Sequence, residues 1–274
     1  MGSLSALKIG FIGGGKMAEA VIKGMKESGA KHITVSDRAV SRKRYLKSVY
    51  KVKIARNNKE VVANADVIIL AVKPGDMKKI CGEVKEGAPR NKIFISVAAG
   101  ITLAFLRYHL GTDRVVRVMP NTPAFVGKGI TVIASSPRTT KKDITVTERI
   151  FSGVGEVMVM DEKYIDAVTA VSGSGPAFVS LFVEALVDGA VRMGLQRGDA
   201  LTLALRTAEG TIAMLENGLS TAKLRHMVTS PGGTTAEGLF ILEREGFKGL
   251  VIDCIESACE RASEIADQTS EVDE

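Results

Sequence analysis

The chain has few of the residues that build disulfide scaffolds or metal sites. Its 274 residues include three cysteines and three histidines. Cys81, Cys254 and Cys259 are odd in number and contain no C-x-x-C pair, so the sequence predicts neither a disulfide framework nor a zinc site. We expect three reduced thiols and no bound metal.

The sequence also lacks a long uncharged apolar run and the layout of a secretory signal. No run of about 18 apolar residues is free of charge. Residues 1–8 do not pass from a basic to an apolar segment. We therefore expect a cytoplasmic protein that has no membrane partner.

Aromatic residues make up only 5% of the sequence, and this low content bears on the meaning of its positive charge. Nine basic residues and no acidic residue lie between Arg38 and Lys59. Such a run is typical of a phosphate or nucleic-acid footprint, or of a solvated helix face. Because aromatic residues are not systematically interleaved with these basic residues, we expect no nucleic-acid partner.

Charge and hydrophobic pattern divide the chain at Tyr164. Residues 1–164 contain 29 basic and 14 acidic residues, whereas residues 165–274 contain 8 and 17. The first part alternates short apolar runs with helical stretches, which predicts parallel strands joined by crossover helices. The predicted strands are residues 7–12, 32–35, 67–72, 93–97, 115–119, 130–134 and 156–160.

After Tyr164 the pattern predicts helices only, at residues 178–193, 199–216 and 247–266. The first of these is apolar almost all round, so it must be covered on most sides. A helical part of this size cannot easily bury so many faces alone, which predicts a partner subunit. We therefore expect an α/β fold: an N-terminal Rossmann-like doubly wound sheet in residues 1–164, then an all-α C-terminal dimerisation domain in residues 165–274.

A glycine-rich turn follows the first predicted strand and opens a helix. Gly13, Gly15 and Ala18 form a G-x-G-x-x-A pattern. Gly13 permits a tight turn, Gly15 lets a pyrophosphate approach the backbone, and Ala18 allows close helix packing. The amides of the helix N-terminus favour an anion. In this strand–helix–strand context the pattern predicts a dinucleotide site; a plain strand–helix turn is the alternative.

The end of the second predicted strand carries two signals for the cofactor. Asp37 favours NAD if it points into the site, because an acid there accepts the ribose 2′-hydroxyl. Ser36 and Arg38 suit the 2′-phosphate of NADP, because a guanidinium pairs bidentately with phosphate. The basic residues that follow favour NADP as well. We expect NADPH as the cofactor, with NADH as a weaker substitute.

Two glycine-rich elements stand at predicted helix starts in the second part. Residues 172–176 read Ser-Gly-Ser-Gly-Pro, and Pro176 suits a first helical position. Residues 230–235 read Ser-Pro-Gly-Gly-Thr-Thr, and Thr234 is predicted to form a capping box with Glu237. Thr235 would then have a free hydroxyl beside exposed amides, which suits a small carboxylate-bearing substrate.

No histidine, lysine or tyrosine stands out as the proton donor that carbonyl reduction usually needs. An imine substrate would ease this difficulty, since a protonated C=N bond is already electrophilic.

Six motifs together carry a resemblance to a known family. They are residues 10–15, 71–74, 97–100, 121–123, 170–177 and 230–235. The last two are the specific ones, because S-G-S-G-P-A followed later by S-P-G-G-x-T is characteristic of the pyrroline-5-carboxylate reductases. The chain resembles this family nearly end to end. The resemblance implies NADPH-dependent reduction of the cyclic imine 1-pyrroline-5-carboxylate to L-proline, the last step of proline biosynthesis.

The same resemblance implies a set of site residues. The cofactor would contact Ile12, Gly13, Gly14, Gly15, Lys16, Met17, Ser36, Arg38, Asn58, Ala71, Val72, Lys73, Pro74, Ala98 and Ala99. The substrate would contact Ser230, Gly233, Thr234 and Thr235, with Thr235 as the catalytic residue near the ring nitrogen. The resemblance also implies self-association into interlocked dimers, commonly assembled into a decamer.

Two alternatives remain open. A β-hydroxyacid dehydrogenase-like oxidoreductase shares the two-domain plan, but it would need a lysine on the first long helix after the sheet. Residues 178–193 contain no lysine. A non-catalytic NADP-sensing binding protein is the second alternative; Thr235 and the intact anion-binding loop argue against it.

Overall fold

The structure is a computed structural model that describes residues 4–85 and 92–271. The strands within these residues are β1 (Lys8–Ile12), β2 (His32–Ser36), β3 (Lys53–Ile54), β4 (Val67–Leu70), β5 (Ile93–Ser96), β6 (Val115–Pro120), β7 (Gly129–Ser135) and β8 (Gly155–Val159). They form one sheet in the order β3-β2-β1-β4-β5-β6-β7-β8, in which β6 and β7 are the antiparallel pair. Every predicted strand is present, and the two-residue β3 is an addition.

The helices connect these strands and then continue alone. They are α1 (Lys16–Glu27), α2 (Val40–Tyr50), α3 (Asn58–Asn64), α4 (Met77–Lys85), α5 (Leu103–Leu110), α6 (Lys141–Ser152), α7 (Ile165–Val168), α8 (Gly175–Arg192), α9 (Arg197–Glu216), α10 (Thr221–Val228), α11 (Thr234–Arg244) and α12 (Phe247–Glu271). A π-helical segment, Thr169–Gly173, precedes α8. The predicted α/β class, with an all-helical second part, is confirmed.

The chain divides into two compact units. The sheet unit extends to Gly173 and includes the chain again from Ala258 onward, whereas the helical unit is Ser174–Ser257. Contact between these distant parts of the sheet unit is close at Gly100, whose φ is +73°. A Cβ atom on Gly100 would lie 2.7 Å from Cγ2 of Ile265 on α12, so only glycine fits there.

The sheet unit has the topology of a dinucleotide-binding fold. β2 and β4 both pair in parallel with β1, on its two sides, so the strand order reverses at β1. Ligands of such sheets bind at the carboxyl ends of the strands beside this switch point. All four residues of β4 are apolar and buried, as expected for a parallel strand covered on both faces.

At the start of α6 the sheet unit contains a charged pair whose carboxylate is buried. Asp143 is 1% exposed, and its Oδ2 accepts hydrogen bonds from Arg114 Nε and from the Thr140 amide, both at 3.1 Å. Thr140 and Asp143 cap α6 reciprocally. Burial opposes ionisation of Asp143, but the hydrogen bonds from Arg114 and Thr140 outweigh it and lower the pKa of this carboxyl.

The helical unit leaves most of its large apolar side chains exposed. Its buried cluster consists of Val187, Ala200 and Ala204. The exposed residues include Val179, Leu181, Phe182, Leu186, Val191, Met193, Leu195, Leu201, Leu203, Leu205, Ile212 and Met214. By length and composition the helical stretch Glu162–Arg192 could also cross a membrane, and little of it is buried in the single chain. These faces need a cover that the single chain does not provide.

Candidate active site

A cleft of about 630 Å³ lies at the carboxyl ends of the strands around β1. Nine of the predicted cofactor residues line it: Ile12, Gly13, Gly15, Ser36, Arg38, Asn58, Ala71, Val72 and Lys73. The lining also includes Asp37, the acid that the sequence offered for an NAD ribose, and residues that the sequence did not single out as ligands: Lys43, Arg56, Asn57, Asp76, Ile80 and Glu83. Its volume is within the usual range for a small-molecule or cofactor site.

Gly13 makes the tight turn that leads from β1 into the cleft. Its φ is +94°, and its amide donates to the carbonyl oxygen of Ser36 at 2.9 Å. A Cβ atom on Gly13 would lie 2.3 Å from the carbonyl oxygen of Ala71. The predicted requirement for glycine therefore has two physical causes, backbone conformation and lack of space.

Gly15 is glycine for a different reason. It precedes the first residue of α1, and no atom lies within 4 Å of the position that its Cβ atom would occupy. The folded chain alone therefore has room for a side chain at this position. A side chain there would instead collide with a group bound against the loop. The first amides of α1 lack partners within the helix, so this open backbone suits a pyrophosphate.

The other loop residues have different environments. Gly14 is buried and lies outside the cleft lining. The side chain of Lys16 lines a second cavity of about 410 Å³, together with Glu19. Met17 packs against the core.

Asp37 binds the backbone of the glycine-rich loop. Its Oδ2 accepts the amide hydrogen of Gly14 at 2.7 Å, and its Oδ1 accepts that of Ala39 at 2.7 Å. Both carboxylate oxygens therefore hold protein backbone. The acid that the sequence offers for an NAD ribose hydroxyl is engaged in fixing the loop.

Arg42 also holds the glycine-rich loop. Its Nε donates to the carbonyl oxygen of Gly14, and its Nη2 donates to that of Gly15 at 3.2 Å and to Glu19. Burial opposes ionisation of Glu19, but hydrogen bonds from Arg42, Tyr45 and Tyr50 outweigh it and lower the pKa of the carboxyl. Burial and the hydrogen bond to Glu19 raise the pKa of Tyr50 to about 12.

A chain of hydrogen bonds connects Ser36, Asn58 and Glu83 in the cleft lining. The Ser36 hydroxyl donates to Asn58 Oδ1 at 2.6 Å, and Asn58 Nδ2 donates to Glu83 at 2.7 Å. Asn57 caps α3 by accepting the amide hydrogen of Glu60 at 2.9 Å. Ser36 and Asn58 thus meet, although they lie on different elements.

Arg38 faces an acidic partner across the cleft. Its Nη2 lies 2.9 Å from Asp76 Oδ1, on the 3₁₀ turn Pro74–Asp76 that follows β4. Lys43 and Arg56 line the same cleft, and Arg56 pairs with Glu60 at 3.0 Å. The end of β2 therefore presents a group of cations, which is the environment that a 2′-phosphate requires.

Besides Gly14, Lys16 and Met17, three further predicted cofactor residues are not in the cleft lining: Pro74, Ala98 and Ala99. Pro74 begins the 3₁₀ turn, whereas Ala98 and Ala99 follow β5. Ala98 is buried, and its amide donates to Ser96 Oγ at 3.3 Å. Both alanines follow the carboxyl end of β5, the strand that pairs with β4, so they lie at the same edge of the sheet as the cleft.

The glycine-rich element at residues 230–235 forms a turn at the start of α11. The Gly233 amide donates to the carbonyl oxygen of Ser230 at 3.0 Å, and Gly232 has a φ of +67°. Proline followed by a glycine of positive φ is the pattern of a type II turn. A Cβ atom on Gly233 would lie 2.4 Å from Ser230 Oγ, so the Ser230 side chain folds against this turn.

The predicted capping box at Thr234 is wrong. Gly233 is the N-cap of α11, and no side chain caps the helix. The type II turn brings Gly233 into the extended conformation that precedes a helix, so the helix starts one residue earlier than the pattern indicated. Thr234 and Thr235 are therefore the first two helical residues. Their hydroxyls and the first amides of α11 are left for another partner.

The Ser172–Pro176 motif spans the π-helical segment and the first turn of α8. Pro176 is the second residue of α8, a position where its missing amide costs nothing. The Ser172 hydroxyl donates to the carbonyl oxygen of Val168 at 2.9 Å, so its hydrogen bond is made within the preceding helical turn.

The three cysteines are free thiols, and burial raises the pKa of Cys81 to about 12. Among residues 4–85 and 92–271, no three His, Cys, Asp or Glu side chains are grouped as metal ligands.

A doubly wound sheet with a glycine-rich loop at its switch point, and cations beside that loop, defines a nicotinamide dinucleotide-dependent oxidoreductase. The family description "NADP oxidoreductase coenzyme F420-dependent" matches residues 8–100, and "Pyrroline-5-carboxylate reductase dimerisation" matches residues 162–265. The chain is 40% identical to the pyrroline-5-carboxylate reductase of Arabidopsis thaliana over 265 residues, 95% of this chain and 96% of the relative. The chain belongs to the pyrroline-5-carboxylate reductase family.

Two solved structures resemble it throughout. The pyrroline carboxylate reductase of Plasmodium falciparum, solved with NADP bound, is 31% identical with a TM-score of 0.87, and the match covers 96% of this chain and 99% of that one. The pyrroline-5-carboxylate reductase of Coxiella burnetii is 35% identical with a TM-score of 0.89, and the match covers 95% and 98%.

Proposed function

We propose that this protein reduces 1-pyrroline-5-carboxylate to L-proline with NADPH, the last step of proline biosynthesis. It is an oxidoreductase that acts on a carbon–nitrogen bond. The observation that carries the proposal is the presence, in one chain of this family, of a cleft with a glycine-rich loop and of a Pro-Gly turn that opens a helix with two threonines. The first suits a dinucleotide, and the second suits a small carboxylate.

The sheet unit would bind the cofactor through backbone and side chains together. Gly15, Lys16 and Met17 offer backbone amides to the pyrophosphate, with Ile12, Gly13 and Gly14 shaping the loop. Ser36 and Arg38 would meet the adenosine phosphate. The remaining residues proposed to line the cofactor are Asn58, Ala71, Val72, Lys73, Pro74, Ala98 and Ala99. When bound, NADPH supplies the hydride.

The start of α11 would bind the substrate. The substrate carboxylate would accept hydrogen bonds from the first amides of the helix, beside Ser230, Gly233 and Thr234, where the helix dipole favours negative charge. The Thr235 hydroxyl would donate to the ring nitrogen as the new amine forms, and we assign it the catalytic role. Because a protonated imine is already electrophilic, the main contribution of the protein would be to orient the substrate and the cofactor relative to each other.

The proposed division of labour follows the domains predicted from the sequence. Residues 1–164 bind the dinucleotide, and residues 165–274 bind substrate and self-associate. The exposed apolar faces of α8 and α9 are best covered by a second copy of this chain, in a dimer that further assembles into a decamer. We propose a cytoplasmic protein with neither a membrane nor a nucleic-acid partner.

One assay separates this proposal from its alternatives. Purified protein is mixed with NADPH and pyrroline-5-carboxylate, and loss of nicotinamide absorbance is followed while proline is measured as the product. Turnover that depends on both components supports the proposal. Turnover only with a β-hydroxyacid and the oxidised cofactor would favour a dehydrogenase, and binding of NADPH without turnover of either substrate would favour a sensing protein.

A further inference from the structure

The Arg38–Asp76 ion pair extends across the proposed cofactor cleft. Arg38 follows β2 and Asp76 follows β4, and these strands flank β1 on its two sides. The pair therefore crosses the carboxyl end of β1, where the glycine-rich loop begins. Both side chains line the cleft and are accessible, with 67% of the Arg38 side chain and 38% of the Asp76 side chain exposed.

The geometry points to Asp76, and not Asp37, as the acid that opposes NADPH and thereby sets how strongly the enzyme prefers it over NADH. The inference rests on the proposed function only in taking this cleft as the NADPH site. The pair brings a carboxylate within 2.9 Å of the guanidinium that is proposed to receive the 2′-phosphate. A carboxylate in that position repels a phosphate dianion and competes with it for the same donors.

The main role of Asp37 is a different one, which is to hold the glycine-rich loop. Its two oxygens accept the amide hydrogens of Gly14 and Ala39 at 2.7 Å each. Those hydrogen bonds fix the backbone on which any dinucleotide must rest, whether or not it has a 2′-phosphate. Asp37 is therefore a positioning residue that supports NADPH and NADH alike.

The other charged side chains of the cleft leave Asp76 as the acid that acts on the proposed phosphate site. Four basic and three acidic side chains line the cleft. Asp37 is bonded to backbone and Glu83 to Asn58, which leaves Asp76 as the acid that faces the predicted phosphate-binding guanidinium. Neutralising Asp76 should free Arg38 for the phosphate and leave Lys43 to reinforce it.

The test is titration calorimetry with two probes, adenosine 2′,5′-bisphosphate and AMP, which differ in the 2′-phosphate. The variants are Asp76→Asn, Asp37→Asn and, as a matched control, Asp113→Asn. Asp113 also pairs with arginines, at 2.7 and 3.1 Å, but it precedes β6 at the opposite edge of the sheet. The control thus makes the same change in net charge far from the cleft.

We expect Asp76→Asn to tighten binding of the bisphosphate about 3- to 5-fold, the usual scale for one exposed charge, and to leave AMP binding within experimental error. The gain should shrink between 0.1 M and 1 M salt, where the screening length falls from about 10 Å to about 3 Å. Asp37→Asn should weaken both probes by a similar factor, and Asp113→Asn should change neither. The ratio of kcat/KM for NADPH to that for NADH should rise in Asp76→Asn by the same 3- to 5-fold.

Weaker bisphosphate binding in Asp76→Asn would mean that Asp76 holds Arg38 in place for the phosphate, and the inference would be overturned. It would fall equally if the variant bound both probes as the wild type does. Failure of the wild type to reduce pyrroline-5-carboxylate would overturn the proposed function alone, because the two nucleotide titrations do not depend on substrate turnover.

Discussion

The sheet unit and the helical unit bury their apolar residues to very different extents. In the sheet unit β4 is wholly buried, and apolar clusters lie on both faces of the sheet. In the helical unit the buried cluster is three residues, and apolar residues of α8 such as Leu181 are 66% exposed. One unit satisfies its hydrophobic faces within the chain, and the other requires a second chain. The helical unit therefore has the greater need of self-association to cover its apolar residues.

The strongest test of this difference between the units is to introduce a charged residue on the surface of each unit in turn and measure self-association. Leu181→Asp should raise the dimer dissociation constant at least about 1000-fold, because the carboxylate would lose its water in the interface, a cost of about 4 kcal/mol. Tyr108→Asp is the control, since Tyr108 is 71% exposed on α5 of the sheet unit and should not affect assembly. Sedimentation of both variants checks the prediction. A stable dimer of Leu181→Asp would contradict it.

The second prediction concerns the internal stability of the sheet unit. Asp143→Asn removes the charge that Arg114 pairs with and should lower the free energy of unfolding by about 2–3 kcal/mol at pH 7. Asp113→Asn, at an exposed pair, should cost less than about 1 kcal/mol. Urea unfolding measures both changes.

The same aspartate should contribute to the pH dependence of stability. Its pKa is lowered in the folded protein, so its contribution is complete above the unfolded pKa of about 3.9 and is lost as pH falls through the folded value. Between pH 7 and pH 3, Asp143→Asn should therefore lose less stability than the wild type. An equal loss in both proteins would show that Asp143 does not carry this dependence.

The third prediction separates substrate chemistry from cofactor binding. Thr235→Ala should lower kcat/KM for pyrroline-5-carboxylate about 10- to 150-fold, the cost of losing one hydrogen bond to a charged or polarised group. The dissociation constant of NADPH should stay unchanged, because Thr235 lies outside the sheet unit. Thr234→Ala is the comparison: it should lower kcat/KM less than Thr235→Ala does, because the proposed carboxylate contact at this position uses the backbone amide, which alanine keeps. Since Gly233 is the N-cap, the stability of α11 should not change strongly. Wild-type kinetics in Thr235→Ala would remove Thr235 from the catalytic role.

The smallest effect is expected at Arg38. Arg38→Ala should raise the KM for NADPH about 5-fold, because the side chain is exposed and its interaction with phosphate is screened. The KM for NADH should change less than about 2-fold, because NADH lacks the 2′-phosphate that Arg38 is proposed to contact. Steady-state kinetics with the two cofactors checks this. Equal shifts for both would indicate that Arg38 binds a part of the dinucleotide that they share.

The positions of the strands along the chain and the glycine-rich loop were predictable because local chemistry determines them. Continuous apolar runs specify buried parallel strands, and Gly13 is required by its own backbone conformation. Strand β3 has two residues, too few for any periodicity to be visible. The capping box at Thr234 was wrong by one residue, because the preceding Pro-Gly turn had already fixed where the helix begins.

The charges of the cleft could not be predicted in the same way. The sequence offered Asp37 and Arg38 as competing signals, but it does not contain the direction in which Asp37 points. Asp76 lies far along the chain from Arg38 and meets it only because β2 and β4 flank the same strand. Residue type determines which chemistry is available, whereas the fold determines which groups meet.

The close fit of Gly100 against Ile265 has a consequence for how the protein is made. The sheet unit receives its last segment only after Ser174–Ser257 has been synthesised, so on the ribosome the dinucleotide-binding part must wait, incomplete, while the association helices emerge. A truncation or a bulky fusion near Ile265 would therefore act first on the maturation of the cofactor-binding part, even though the sequence there reads as the end of an association helix.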